Sequence, residues 1–328
     1  MKLSFETREY KILTKTQSET NPAYGKKPEQ RSTKDLLESG IIVLNKPSGP
    51  TSHQAVDYLK KIIKINKAGH SGTLDPGVTG VLPIALSKAT RITHSLLIAG
   101  KEYVCLMQLH SKISTDEIKQ TFKNHFTGKI KQLPPVKSAV KRQLRTRTIY
   151  YTEIIDIKDK FVLFKVGCEA GTYIRKLVHD FGEKIGTGAH MAQLIRTKAG
   201  PFKESEMKTL QDIADAYHYY TKGNDEELKK IIKPIERGCE HLKKIYVHDG
   251  AIDTLCNGAF LKVPGISKLD SDINKGDSVA IMSLKSELIL TGTALMNSNN
   301  LMKLAKGIAV QTQQVFMKPG TYPKNTQI

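Results

Sequence analysis

The chain changes texture near residue 240, and that change limits the folds open to it. Before it, apolar residues at helical spacing interleave with strand-like runs. From Ile245 onward, short strand-like runs recur between Gly and Pro, most clearly at 279–283, 288–293 and 308–316. The first part shows no regular strand–helix–strand repeat, so it reads as α+β and not as a doubly wound sheet. The second reads as a small barrel or sandwich. At 328 residues the chain also exceeds one comfortable core. The expected segments are an N-terminal extension over 1–38, a main α+β domain over 39–240 and a β-rich domain over 241–328.

Within the main domain the spacing predicts a strand at 41–44. A helix capped by Ser52 follows, with Ala55, Val56, Leu59, Ile62 and Ile63 on one side. A second helix is predicted with Ala89, Ile92, Leu96 and Leu97 on one face. A strand at 103–109 leads to a helix capped by Ser114, with Glu117 completing a capping box, Ile113 and Ile118 forming a staple, and Gly128 ending it. Strands at 149–157 and 161–169 make a hairpin. A helix carrying Ile174, Leu177, Val178 and Phe181 comes next, then a strand at 190–197. Residues 204–240 read as a helical connector, and the polar residues 1–38 as an extension available to dock on another surface.

The formal net charge of +19 points to a polyanionic partner, nucleic acid or an acidic membrane surface. A thermophile's solvated surface would carry matching acids, whereas 51 Lys and Arg here face 32 Asp and Glu. No run approaches the roughly 20 apolar residues that span a bilayer, and the N-terminus lacks a signal-peptide core. The four cysteines form no C-x-x-C pair, which argues against a zinc knuckle and fits a reducing compartment. A cytoplasmic protein without a membrane partner is expected.

Residues 69–83 read GHSGTLDPGVTGVLP and hold Asp75, the one carboxylate between 58 and 101 among seven Lys and Arg. Asp-Pro-Gly is a strong turn signal. A lone carboxylate among cations can also act as a nucleophile or base kept in its charged form. Both readings stand on spacing alone. Residues 129–148 carry seven Lys and Arg and no acid, with Pro134 and Pro135 restricting the backbone. Such a run is either a solvated face or a phosphate-contacting surface, and the single sign favours the second.

Several long motifs resemble the TruB branch of pseudouridine synthases. They are LNKPSGPTSH at 44–53, GHSGTLDPGVTGVLP at 69–83, KEYVC at 101–105, PPVKSAVKRQLRTRTIY at 134–150 and GTYIRKLVHDFGEKIGTGAHMAQLIR at 171–196. NGAFLKVPGI at 257–266 is similar to part of a PUA domain, a small RNA-binding module. The resemblance spans nearly the whole chain and is strongest to the archaeal and eukaryotic arm, the dyskerin family of box H/ACA ribonucleoproteins. It implies an α+β catalytic domain with a mixed, largely antiparallel sheet, plus a β-barrel-like PUA domain.

The resemblance makes Asp75 the catalytic aspartate, Arg175 its ion-pair partner in a desolvated pocket, and Tyr103 the ring that stacks on the target base. It makes Leu194 part of an apolar pocket wall, His70 an RNA contact near the flipped nucleotide, and Lys46 a support for the active-site loop. Taken singly, these residues also fit an exposed helix arginine, a core tyrosine, a core leucine, an ordinary loop histidine and a surface lysine. On the single-signed run above, Lys141, Arg142, Arg145 and Arg147 are the residues expected to contact RNA, and the PUA-like part adds Gly258 and Lys262. No metal or organic cofactor is implied.

One departure separates the two arms of the family. The bacterial branch carries an insertion after the tyrosine-bearing strand that grips substrate; here Ser111, Lys112 and Ile113 alone separate His110 from the Ser114 cap. The resemblance therefore implies a catalytic subunit directed by box H/ACA guide RNA onto ribosomal RNA, with small accessory proteins as partners. A stand-alone synthase acting on the tRNA T-loop, and a non-catalytic RNA-binding assembly protein, are the alternatives.

Overall fold

The computed structural model describes residues 1–134 and 141–324. Its strands are β1 (Ile12–Thr14), β2 (Gly40–Lys46), β3 (Ala68–His70), β4 (Thr79–Leu86), β5 (Lys101–Leu109), β6 (Gly128–Gln132), β7 (Arg145–Lys158), β8 (Phe161–Cys168), β9 (Ala189–Ala199), β10 (Phe202–Lys203), β11 (Lys233–Pro234), β12 (Lys243–Val247), β13 (Leu261–Lys262), β14 (Ile266–Asp270), β15 (Ser278–Ser283), β16 (Leu288–Ala294) and β17 (Ile308–Val315). The α-helices are α1 (Thr33–Ser39), α2 (Ser52–Ile62), α3 (Thr93–Leu97), α4 (Thr115–His125), α5 (Ile174–Ile185), α6 (Leu210–Thr221), α7 (Glu226–Ile231), α8 (Asp249–Cys256) and α9 (Ser298–Lys303).

The chain divides into two compact units. The first comprises Met1–Thr7, Ile42–Ile84 and Thr93–Lys222. Its strands run in the order β2-β4-β9-β5-β8-β7-β6. β4 pairs parallel with β9, while β5 runs antiparallel to both β9 and β8. The sheet is thus mixed and largely antiparallel. Strand alternation sends Cys105, Met107 and Leu109 to a core face shared with α4 and α5. Phe122 of α4 stacks near Phe164 and Phe181, with ring centroids 4.8 and 4.4 Å away.

Two local expectations are corrected here. Ser52 does not cap α2; Thr51 does, with Gln54 closing a capping box, and Ser52 is buried for another task. Residues 79–97 are not led by a helix. The apolar run Gly80–Leu86 is the strand β4, buried along nearly its whole length, and the predicted helix is a 3-10 turn at Ser87–Ile92 followed by the short α3. A fully buried strand has no alternation to reveal it. The Ser114 cap forms without the return bond from the Glu117 side chain, and α4 ends at His125, with Gly128 starting β6; the hairpin at Asp159 and the α5 face appear as expected.

The second unit comprises Arg8–Ile41, Ala85–Ile92 and Gly223–Ile328. Its seven strands run β1-β14-β12-β15-β16-β17-β13, with β12–β15 the parallel pair. They share one core with α8, including Ile245, Ile252, Leu255, Ile281 and Val310. Much of the N-terminal extension lies in this unit. It docks on the chain itself: β1 adds antiparallel to β14, and Arg8 reaches Asp270 at 2.8 Å and Asp272 at 2.9 Å. A second anchor is the buried Glu287, which accepts from the Lys26 amide at 2.9 Å, the Ser283 hydroxyl at 2.8 Å and the Tyr322 hydroxyl at 2.5 Å.

All four cysteines are buried free thiols, and burial pushes each up to about 12. Among the described residues no helix is long and apolar enough to cross a membrane.

Candidate active site

The loop between β3 and β4 carries Asp75, and it is fixed from both sides. The Val78 amide donates to the Asp75 carbonyl at 3.0 Å, closing the Asp-Pro-Gly turn. Leu74 and Val78 flank the turn and are buried in the first unit's core, so the carboxylate between them is held outward. The Ser52 hydroxyl, buried at the start of α2, accepts from the Leu74 amide at 2.8 Å and donates to the Leu74 carbonyl at 3.0 Å. Lys46 is 0% exposed, and its ammonium donates to the carbonyls of Pro47, Pro76 and Val78 at 2.9, 3.1 and 3.0 Å. Burial lowers its proton affinity, and the charge of Asp75 partly restores it. Lys46 is therefore an internal brace and not a surface charge.

Arg175, in the first turn of α5, pairs with the Asp75 carboxylate. Their side chains are 62% and 55% exposed, so the expected desolvation is not supplied by the described residues of this chain. Tyr103 packs against the core cluster that includes Leu74, Val78, Ile174 and Leu194. In the β5–β9 register it stands opposite Arg196, where the register shifts between Glu102 and Tyr103. Burial pushes its phenol above the ordinary range, and the neighbouring Arg196 opposes that rise. His70 is half-buried on β3, edge-on to His53 at 4.9 Å. Burial, His53 and Arg196 bring it down to about 4, so it is neutral. Its Nδ1 is buried without a hydrogen-bond partner.

Asp75, Arg175, Tyr103, Leu194, His70 and Lys46 thus all belong to the first unit, around one loop. The basic residues are spread differently. Lys141 and Arg142 are exposed, whereas Arg145 and Arg147 begin β7 half-buried and Arg147 meets Glu169 at 3.5 Å. Pro135 and Lys137 lie outside the described residues. Gly258 and Lys262 are exposed in the second unit. Sequence reasoning missed Ser52, read as a helix cap, and Arg196. The latter is 1% exposed at the end of a recognised motif, where charge alone gave no sign that it turns inward.

Comparison with known proteins gives this geometry its setting. The model of the TruB family pseudouridylate synthase N-terminal domain matches residues 60–174, and that of the tRNA pseudouridylate synthase B C-terminal domain matches 175–240. PUA and DKCLD (NUC011) domain models match 243–316 and 2–56. A probable tRNA pseudouridine synthase B from Methanopyrus kandleri is 49% identical over 318 residues, 97% of this chain and 94% of that protein. The chain belongs to the TruB family of pseudouridine synthases. Its activity is the isomerisation of uridine in RNA. Two solved structures resemble this synthase over nearly its full length. A chain of a Cbf5-Nop10-Gar1 complex is 49% identical, with 98% of each chain covered and a TM-score of 0.95. The structure of an H/ACA RNP bound to a substrate RNA containing 2'-deoxyuridine is 46% identical, covering 99% of this synthase and 100% of that chain, with a TM-score of 0.93.

Proposed function

We propose that this synthase is the catalytic subunit of a box H/ACA particle and modifies ribosomal RNA under guide-RNA direction. The observation that carries this is its full-length likeness to a chain of an H/ACA RNP bound to substrate RNA. The short link between β5 and the Ser114 cap agrees with it, since that link offers no segment to fold over a substrate.

In this reading Asp75 is the reacting carboxylate. Uridine must lose its nitrogen-to-sugar bond, turn and rejoin through carbon 5, which gives up its proton while the freed nitrogen gains one. Attack at the anomeric carbon, addition to the base and removal of a sugar proton all need an ionised carboxylate within about 3.5 Å of the target. Ser52 and Lys46 hold the loop so that the carboxylate meets a flipped base without reorganising. Arg175 keeps it charged once RNA excludes water from the exposed pair. Tyr103 stacks on the base, Leu194 lines the apolar side, and neutral His70 faces the RNA beside the flipped nucleotide. Accessory proteins of the kind named in the related complexes, small and separate from this chain, complete the particle.

The test is single-turnover pseudouridine formation with each component omitted in turn. Flipping a stacked uridine costs a few kcal/mol, and pairing of guide to both sides of the target offsets it. Omission of guide RNA should abolish modification of a ribosomal fragment. Rapid, site-selective modification by the chain by itself would overturn guide direction. The second reading, a stand-alone tRNA synthase, is favoured by the name of the Methanopyrus kandleri relative. It predicts undiminished modification of a tRNA T-arm without guide.

Replacing Arg175 probes the ion pair. Arg175→Met should slow turnover by about 100-fold, and Arg175→Lys should recover only part of it because lysine lacks the planar fork. Equal rates for Lys and Met variants would count against a charge role. Neutralising Lys141, Arg142, Arg145 and Arg147 together should flatten the slope of log affinity against log salt. The expected change is roughly 0.7–0.9 for each phosphate that the variant no longer neutralises. The pairing of Arg147 with Glu169 places the larger share on Lys141 and Arg142. An unchanged slope would return the segment to a solvated face.

A further inference from the structure

Among the described residues Arg196 is the largest fully buried side chain, and the partners seen for it are neutral. Its Nε donates to the Val81 carbonyl at 2.7 Å, and one terminal nitrogen to the Gly72 carbonyl at 3.2 Å. Tyr103 stands opposite Arg196 in the β5–β9 register, and the phenol and guanidinium interact. Desolvating a guanidinium is costly, and carbonyl partners offset it less than a carboxylate would. A merely structural position could be filled by an apolar side chain at no such cost. What distinguishes this position is where the three partners lie. Gly72 begins the approach to Asp75, Val81 lies on the strand leaving that loop, and Tyr103 is on a nearby strand of the same sheet. The backbone is built for the close approach. Gly80 has φ +105°, and a Cβ there would come within 2.3 Å of the Arg196 carbonyl. Gly72, at φ +92°, lies with its missing Cβ 3.6 Å from the guanidinium.

We infer that Arg196 is a positioning residue that locks the Tyr103 ring to the Asp75 loop, so that base stacking and carboxylate attack share one fixed geometry. This rests on the roles proposed above for Asp75 and Tyr103. Arg196 itself is 1% exposed and bonds backbone carbonyls, so it acts through its partners and not on the reacting atoms. A planar donor with several directions can face two carbonyls and a phenol at once, which a lysine ammonium cannot match in the same plane.

The experiment is a double-substitution cycle on the full chain in its assembled particle, read by the single-turnover rate at saturating RNA and by RNA affinity. Arg196→Lys should slow the rate at least about 10-fold with affinity within about twofold. In a Tyr103→Phe background the same change should cost less than about threefold. If the full loss persists there, Arg196 does not act through Tyr103 and the inference fails while the Tyr103 reading stands. If Tyr103→Phe keeps the wild-type rate, the hydroxyl is not what holds the ring, and the inference fails while base stacking, which phenylalanine preserves, stands. Should Arg196→Lys melt below the assay temperature, Arg196→Gln gives the same cycle. A loss of affinity equal to the loss of rate would mark a structural role and also overturn the inference.

Discussion

Asp75→Asn is expected to reduce pseudouridine formation by at least about 1,000-fold, on the order of 4 kcal/mol of barrier, with RNA affinity nearly unchanged. The two side chains have the same shape. Leu74 and Val78 remain buried, and Ser52 and Lys46 hold only backbone atoms of the loop. The substitution therefore removes the charge and leaves the scaffold, which is the condition for reading a rate loss as chemistry. Single-turnover formation and filter binding on the same preparation measure the two quantities. A residual rate above about a tenth, roughly 1.4 kcal/mol, would remove Asp75 from the reacting position.

Lys46→Met should affect both fold and rate. It leaves the carbonyls of Pro47, Pro76 and Val78 without their donor. Orphaned acceptors cost about 1–3 kcal/mol each, against which the variant no longer buries a charge. A net loss of about 2–4 kcal/mol is expected, lowering Tm by roughly 5–12 °C. Turnover should fall as well, because the released turn lets the Asp75 carboxylate drift. Calorimetry of the purified chain, with single-turnover rates below the transition, checks both. An unchanged Tm would show that the three hydrogen bonds do not hold the loop.

These two residues also mark how far the sequence could be read. Amphipathic elements were legible wherever one face meets water: α4 from Ile118 and Phe122, α5 from Leu177 and Phe181, the hairpin from its Asp159 turn. β4 was not, because a strand buried on both faces shows no period. Asp75 stood out as a lone anion among cations, and Arg175 through its motif. Lys46 and Arg196 are harder. A basic side chain is ordinarily read as solvated, and only the fold shows that these two turn inward onto backbone carbonyls. The exposure of the Asp75–Arg175 pair was likewise invisible in the sequence, since it depends on how far α5 stands from the loop.

The pairing of β1 with β14 bears on the order in which the chain can be made. Arg8 and Asp270 meet across 262 residues of sequence. On a ribosome the N-terminal strand emerges first and then waits for its partner until most of the protein has been synthesised. Meanwhile nearly all of the first unit, through Lys222, is already available to fold. The second unit closes last, and until it does β14 has an open edge. Any other strand can pair there, including the N-terminal segment of a neighbouring nascent chain. A polysome, which holds many such chains side by side, is therefore the setting in which this protein is most exposed to exchanging its first strand with a sibling.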